Sequence, residues 1–175
     1  MKAIVAVDKN WGIGKDGDLL LSIPEDMKFF RKTTSGGVVI MGRKTLDSFP
    51  GGNPLKNRIN IVLTRNTRFE KEGVIVVHNE EELDLELEKI KTSENGEELM
   101  EKAFVIGGAS VYGQLLDKCE TIYVTKMDKA FDADVFFPNL DEKDDWEIAE
   151  EGSENIYVAE DGETVSFRFL TYQKA

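Results

Sequence analysis

Histidine and cysteine are almost missing: the 175 residues hold one of each, His78 and Cys119. A single thiol makes no internal disulfide, and a single imidazole assembles no His/Cys metal cluster, so metal-free chemistry is expected. Positive charge is scarce as well. Lys and Arg number 22 against 34 Asp and Glu, a net charge of −12, which argues against a nucleic-acid partner because phosphate binding needs a basic face. No apolar run approaches the roughly 20 residues of a membrane span, and Met1-Lys2 leads directly into the strand-like AIVAV rather than into a signal peptide. A cytoplasmic protein without membrane partners is therefore expected. The chain also lacks repeats and long linkers, so residues 1–175 are expected to form one domain.

What is present alternates. Residues 3–7, 38–41, 59–63, 74–77, 104–106 and 121–125 are short apolar, β-branched runs, the pattern of strands buried on both faces. Helical patterns fall between them at 25–33, 44–48, 80–91 and 110–116. The alternation predicts an α/β domain with a largely parallel sheet. The tail differs: 146–150, 157–159 and 164–173 read as consecutive strands, with Asp161-Gly162 as one turn, which adds an antiparallel edge. Acidic runs at 80–88 and 94–101 read as solvated surface, the first with Leu83, Leu87 and Ile90 on its buried stripe.

The stretch GIGKDGDLLLSIPEDMKFFRKTT, residues 12–34, organises the rest. Ser22 and Glu25 have capping-box spacing and Pro24 suits a first turn, so Asp26 falls just inside a helix. Met27, Phe29 and Phe30 surround it on neighbouring helical positions. The helix dipole favours its charged form by roughly 0.3–1 kcal/mol, whereas full burial of a carboxylate opposes it by about 4–7 kcal/mol. If Asp26 faces inward, desolvation wins. The helix alone leaves open the alternative of an exposed first-turn acid.

Open α/β sheets bind ligands at the carboxyl ends of their strands. Here those ends carry Gly42-Arg43-Lys44-Thr45, Thr64-Arg65-Asn66 and Gly107-Gly108-Ala109-Ser110, combining small residues, hydroxyls and cations at helix starts. Each alone is also compatible with a tight turn or a solvated helix start; three on neighbouring strands suggest a dinucleotide. The literal G-x-G-x-x-G at 12–17 is a different case. Lys9-Asn10-Trp11 separate it from the strand, and Asp16 and Asp18 would repel a pyrophosphate, so it reads as a mobile loop.

AIVAV, GIGKDGDL, IPEDMKFFRKTT, VIMGRKTLDSFP, NRINIVLTRN, FVIGGASVYG, IYVTK and DADVFFP follow one another in the order and spacing of dihydrofolate reductases, and the chain resembles that family from end to end. The resemblance implies an eight-stranded, mostly parallel central sheet with an antiparallel C-terminal edge, flanked by about four helices in three layers. It also implies NADPH-dependent reduction of 7,8-dihydrofolate to tetrahydrofolate by a monomer that binds antifolate-type molecules. Carried over by position, Asp26 resembles the acid that anchors the pterin, and Thr125 the threonine that hydrogen-bonds to it. Leu19 resembles the loop residue that gates a proton-delivering water. Ile4, Val5, Met27, Phe30, Phe49, Leu55 and Ile106 match positions around the pterin and aminobenzoyl rings. Arg58 matches the arginine that clasps the glutamate α-carboxylate, a task suited to a fork-shaped guanidinium. On the cofactor side the matching positions begin with Ala6, Ile13, Gly14, Asp18 and Leu19. They continue with Gly42, Arg43, Lys44, Thr45, Ser48, Leu63, Thr64 and Arg65, and end with Gly107, Gly108, Ala109, Ser110, Val111 and Tyr112. The resemblance implies a cis bond between Gly107 and Gly108.

One departure stands out. Where the family usually reads Leu-Pro-Trp before the helix, this chain reads Leu19-Leu20-Leu21, so the indole that holds an ordered water near the pterin is missing. The acidic segment 92–102 is expected to lengthen a surface connection. Two other readings share the fold: a riboflavin-pathway pyrimidine reductase, which has no use for Asp26 and Thr125 combined with Arg58, and a non-catalytic NADPH- or folate-binding module.

Overall fold

The computed structural model describes residues 1–175. The β-branched runs become β1 (Lys2–Val7), β3 (Val38–Gly42), β4 (Ile59–Leu63), β5 (Val74–Val77), β6 (Ala103–Gly107) and β7 (Thr121–Met127). They pair in parallel in the order β7-β1-β6-β3-β4-β5. The tail supplies β9 (Trp146–Glu151), β10 (Asn155–Val158) and β11 (Thr164–Lys174). All three pairings there are antiparallel: β11 runs between β7 on one side and both β10 and β9 on the other. The path from β10 to β5 contains the expected eight strands, and β9 joins beside β11 as a ninth.

Alternation along the strands splits the core into layers. In β3, Val38 and Ile40 belong to a large cluster with Leu83, Leu87 and Ile90 of α3 (Glu80–Lys91) and Val111, Tyr112 and Leu115 of α5 (Ala109–Leu115). Val39 and Met41 point the other way, onto Leu46 of α2 (Arg43–Asp47). On that second face α1 (Pro24–Thr34) also packs, through Phe29 against Tyr123 of β7 and Phe169 of β11. Packing on this face is divided between the cluster under α2 and a second one formed by Ile23, Met127, Val165 and Phe167, joined by Leu21.

Three local expectations are corrected. The capping box does not form: Ile23 is the N-cap of α1, no side chain caps the helix, and Pro24 opens it. Proline fixes the first-turn φ and removes one of the N–H groups a cap would serve. The glycine run is no loose loop either. Gly12–Gly14 form β2, paired with β8 (Val135–Phe136), and Lys15 and Asp18 close the following turn with reciprocal backbone hydrogen bonds of 3.0 Å. Finally, the acidic segment contains a helix of its own, α4 (Gly96–Glu101), packed against α3 through Leu99 and Met100 at the core margin.

Candidate active site

Asp26 is the third residue of α1, on the turn that faces β7. Thr125, buried on β7, donates from Oγ1 to Asp26 Oδ1 at 2.6 Å. No cation lies within ion-pair distance of the carboxylate. Burial therefore pushes its pKa above the ordinary aspartate value, and the Thr125 hydrogen bond only partly opposes that shift. Thr125 is the register partner of Ala6, which places β1 along the floor beside the acid. Behind it, Tyr112 donates its hydroxyl to the carbonyl of Ile4 at 2.6 Å, and burial raises the phenol's pKa. Tyr112 is thus a neutral donor that ties α5 to β1.

The ends of β3 and β6 meet. Met41 and Gly107 are register partners, so the starts of α2 and α5 lie side by side. Neither helix has a side-chain cap, leaving first-turn N–H groups available to an anion. Contact here is close. A β-carbon on Gly107, whose φ is 141°, would stand 3.1 Å from Thr45 Oγ1, and one on Gly42 would stand 3.2 Å from a Val111 methyl. The Gly107-Gly108 bond is cis. Arg43 lies over the Phe69 ring at 5.5 Å and pairs with Asp47 at 3.6 Å. Lys44 and Arg65 are exposed, and the Thr64 hydroxyl accepts from the Asn66 N–H at 3.2 Å. Ser48 turns back on its own helix, donating to the Thr45 carbonyl at 2.6 Å. Cations, hydroxyls and uncapped helix starts at the carboxyl ends of parallel strands form a donor set that fits a dinucleotide's phosphates.

The opposite wall is apolar, with Phe49, Leu55 and Ile106 packed around the cluster under α2. Met27 is exposed on α1, and Phe30 is half-buried. Arg58 closes the outer end. Its guanidinium donates to the Lys56 carbonyl at 2.9 Å and to Thr34 Oγ1 at 3.1 Å, while burial and nearby Arg31 hold its pKa below the usual arginine value. Two expected site residues point elsewhere. The side chains of Val5 and Leu63 lie in the large cluster on the far face, because strand alternation turns them away from the cleft.

Leu19 is 65% exposed on the segment between β2 and α1. Ile13, Gly14 and Asp18 lie on the same hairpin. Gly14 is buried and its N-terminal neighbours are anchored by a residue that sequence reasoning missed, Asp8. This carboxylate is fully buried and accepts from Asn10 N at 2.8 Å, Gly12 N at 2.7 Å and Phe131 N at 2.9 Å. Asp134 holds the other end: its N–H donates to the Gly14 carbonyl, and its carboxylate accepts from Asp16 N at 2.9 Å. The only sequence signal was an acid two residues before Asn10, the spacing of an Asx turn. His78, directly after β5, is half-buried with Nδ1 2.8 Å from the Thr64 carbonyl.

Comparison with known proteins bears on this arrangement as a whole. A family model described as "Dihydrofolate reductase" matches residues 1–174. The chain is similar to the dihydrofolate reductase of Bacillus subtilis (strain 168), with 37% identity over 173 residues that cover 98% of this chain and 92% of that one. It is similar to that of Staphylococcus aureus at 34% identity, over 85% of this chain and 84% of the other. Among solved structures, a dihydrofolate reductase from Enterococcus faecalis complexed with NADP(H) and RAB-propyl superposes with a TM-score of 0.78. The two are 33% identical, over 99% of this chain and 95% of that one.

Proposed function

Since the chain belongs to the dihydrofolate reductase family, we propose that Asp26, backed by Thr125, holds the pterin of 7,8-dihydrofolate while the neighbouring strand ends hold NADPH. The reaction is reduction of the 5,6 double bond to give 5,6,7,8-tetrahydrofolate. NADPH, when bound, supplies the hydride that adds at C6. Everything else falls to the chain. Asp26 accepts the pterin's amino and ring N–H groups, and the Thr125 hydrogen bond fixes which oxygen faces them. Phe30, Phe49, Leu55, Met27 and Ile106 enclose the rings, and Arg58 takes the α-carboxylate. Ala6, Ile13 and the Gly107-to-Tyr112 segment orient the nicotinamide. Arg43, Lys44, Thr45, Thr64 and Arg65 bind the phosphates, the two arginines favouring NADPH over NADH. The proton at N5 enters through a water admitted beside Leu19, since Asp26 addresses the far edge of the pterin. Closure of the hairpin then excludes bulk water, which strengthens each polar contact inside.

The observation that carries this assignment is the 2.6 Å hydrogen bond from Thr125, the register partner of Ala6, to a desolvated Asp26. We take the protein to act as a monomer, and no helix is long and apolar enough to cross a membrane. We place the enzyme in the cytoplasm, in keeping with its unpaired thiol. Loss of absorbance at 340 nm on mixing protein, NADPH and dihydrofolate tests the reaction. Asp26→Asn is expected to cut turnover near neutral pH by about 100-fold or more while NADPH binding persists. Unchanged turnover removes Asp26 from the mechanism. No oxidation despite binding of both ligands leaves a non-catalytic binding module.

A further inference from the structure

On the α1 face of the sheet a file of aromatic rings ends in a cavity outside the pterin site. Tyr123 on β7, Thr171 on β11 and Glu150 on β9 are successive register partners, so their side chains stand in a row on one face of three neighbouring strands. Phe169 lies two residues back along β11 on the same face. Phe29 of α1 packs over both rings, with its centroid 4.8 Å from Phe169 and 6.2 Å from Tyr123. These side chains line a cavity of about 300 Å³, at the lower end of the range for small-molecule sites. All three rings are half-buried rather than sealed in the core. Glu150 and Glu151 also line the cavity; both are exposed, and neither belongs to an ion pair. No Lys or Arg lines it. Arg168, next to Phe169, alternates to the opposite face, and its guanidinium is taken up by the Gly152 carbonyl at 3.0 Å. The other end of the file already holds a cation. Phe104 lies 5.9 Å from Tyr123, and Lys2 Nζ stands over the Phe104 ring at 5.9 Å. At the Phe29 end, rings and carboxylates come together with no side-chain cation between them.

We propose that this cavity binds a small alkylammonium ion, its head against the rings of Phe29, Tyr123 and Phe169 and its charge answered by Glu150 and Glu151. Three features select that class. The negative face of an aromatic ring attracts a cation without directional hydrogen bonds, which suits a methylated ammonium. Two unpaired carboxylates in a molecule of net charge −12 repel an anion and draw a cation in. The volume admits a compact head with a short chain and nothing larger. The cavity lies directly behind the pterin's acid: Phe29 is three residues beyond Asp26 on α1, and Phe169 is the register partner of Thr125. Binding there nevertheless does not depend on the role given to Asp26.

Choline serves as the probe, and 3,3-dimethylbutan-1-ol as its uncharged counterpart of the same shape. Titrating isotope-labelled protein with choline is expected to shift the backbone amide resonances of Tyr123, Gly152, Phe169 and Thr171, and the alcohol to bind about 10-fold more weakly. Exposed ion pairs contribute roughly twofold each, so E150Q/E151Q is expected to weaken choline about fourfold and to leave the alcohol unaffected. High salt lowers the wild-type affinity for choline in the same direction. T171K puts a tethered ammonium between Tyr123 and Glu150 and is expected to abolish the choline shifts. Equal affinity for choline and the alcohol overturns the proposal, as do shifts confined to residues outside the cavity. A choline affinity unchanged in either variant overturns it as well. None of these outcomes touches the reductase reading, which oxidation of NADPH by dihydrofolate tests separately.

Discussion

Asp26 sits where its charge is costly, and that cost has a sign. Burial holds its pKa above the ordinary aspartate value, so the native state binds the proton more tightly than the unfolded chain. The resulting stability is fully present below about pH 4, the unfolded value, and is lost as pH rises through the higher native one. Asp26→Asn is therefore expected to melt at a higher temperature than the wild type at neutral pH, with the two converging in acid; a wild type that melts higher at neutral pH contradicts this. Asp8 is the opposite case, a buried acid that three N–H groups satisfy completely. Asp8→Ala strands those donors and is expected to lower the free energy of urea unfolding by about 3 kcal/mol; a loss below about 1 kcal/mol would mean water replaces the carboxylate. Of the two acids, only Asp26 was legible, because its aromatic neighbours lie at helical spacing in the sequence. Asp8 takes its donors from residues near it and from Phe131 on a distant segment, which no local pattern records.

Among elements, strand periodicity was readable and helix starts were less so. The apolar runs gave the strands nearly to the residue, whereas treating the positions in them as site residues overlooked that Val5 and Leu63 alternate away from the cleft. At α1, residues 22 and 25 satisfy the capping spacing without the bond, since Pro24 begins the helix one residue too late for Ser22 to cap it. Ser22→Ala is accordingly expected to change unfolding free energy by less than about 0.5 kcal/mol, against about 1 kcal/mol for a true N-cap, as measured by chemical denaturation. The helix α4 was hidden in an acidic run that reads as solvated chain. It depends on Gly96, where a β-carbon would lie 2.2 Å from the Lys91 carbonyl, a contact that only the folded α3–α4 corner creates.

At the scale of the whole molecule, the parallel sheet and its antiparallel edge follow from the alternation of runs, while the order of strands does not. That order places β11 between β7 and the β9–β10 edge, so one strand holds the tail to the parallel core. Deleting residues 164–175 exposes the β7 edge and removes Val165, Phe167, Leu170 and Tyr172 from the interior. The truncated chain is expected to lose the cooperative thermal transition of the full protein, measured by circular dichroism; a retained transition would show that the parallel strands fold alone. The position of β11 also fixes when the catalyst comes into being. During synthesis on a ribosome the strand bearing Thr125 emerges long before the one that flanks it, and at about 5–20 residues per second that interval lasts seconds. Throughout it the nascent polypeptide carries an unpaired β7 edge and an unfinished pterin site, so activity switches on only after β11 has cleared the exit tunnel.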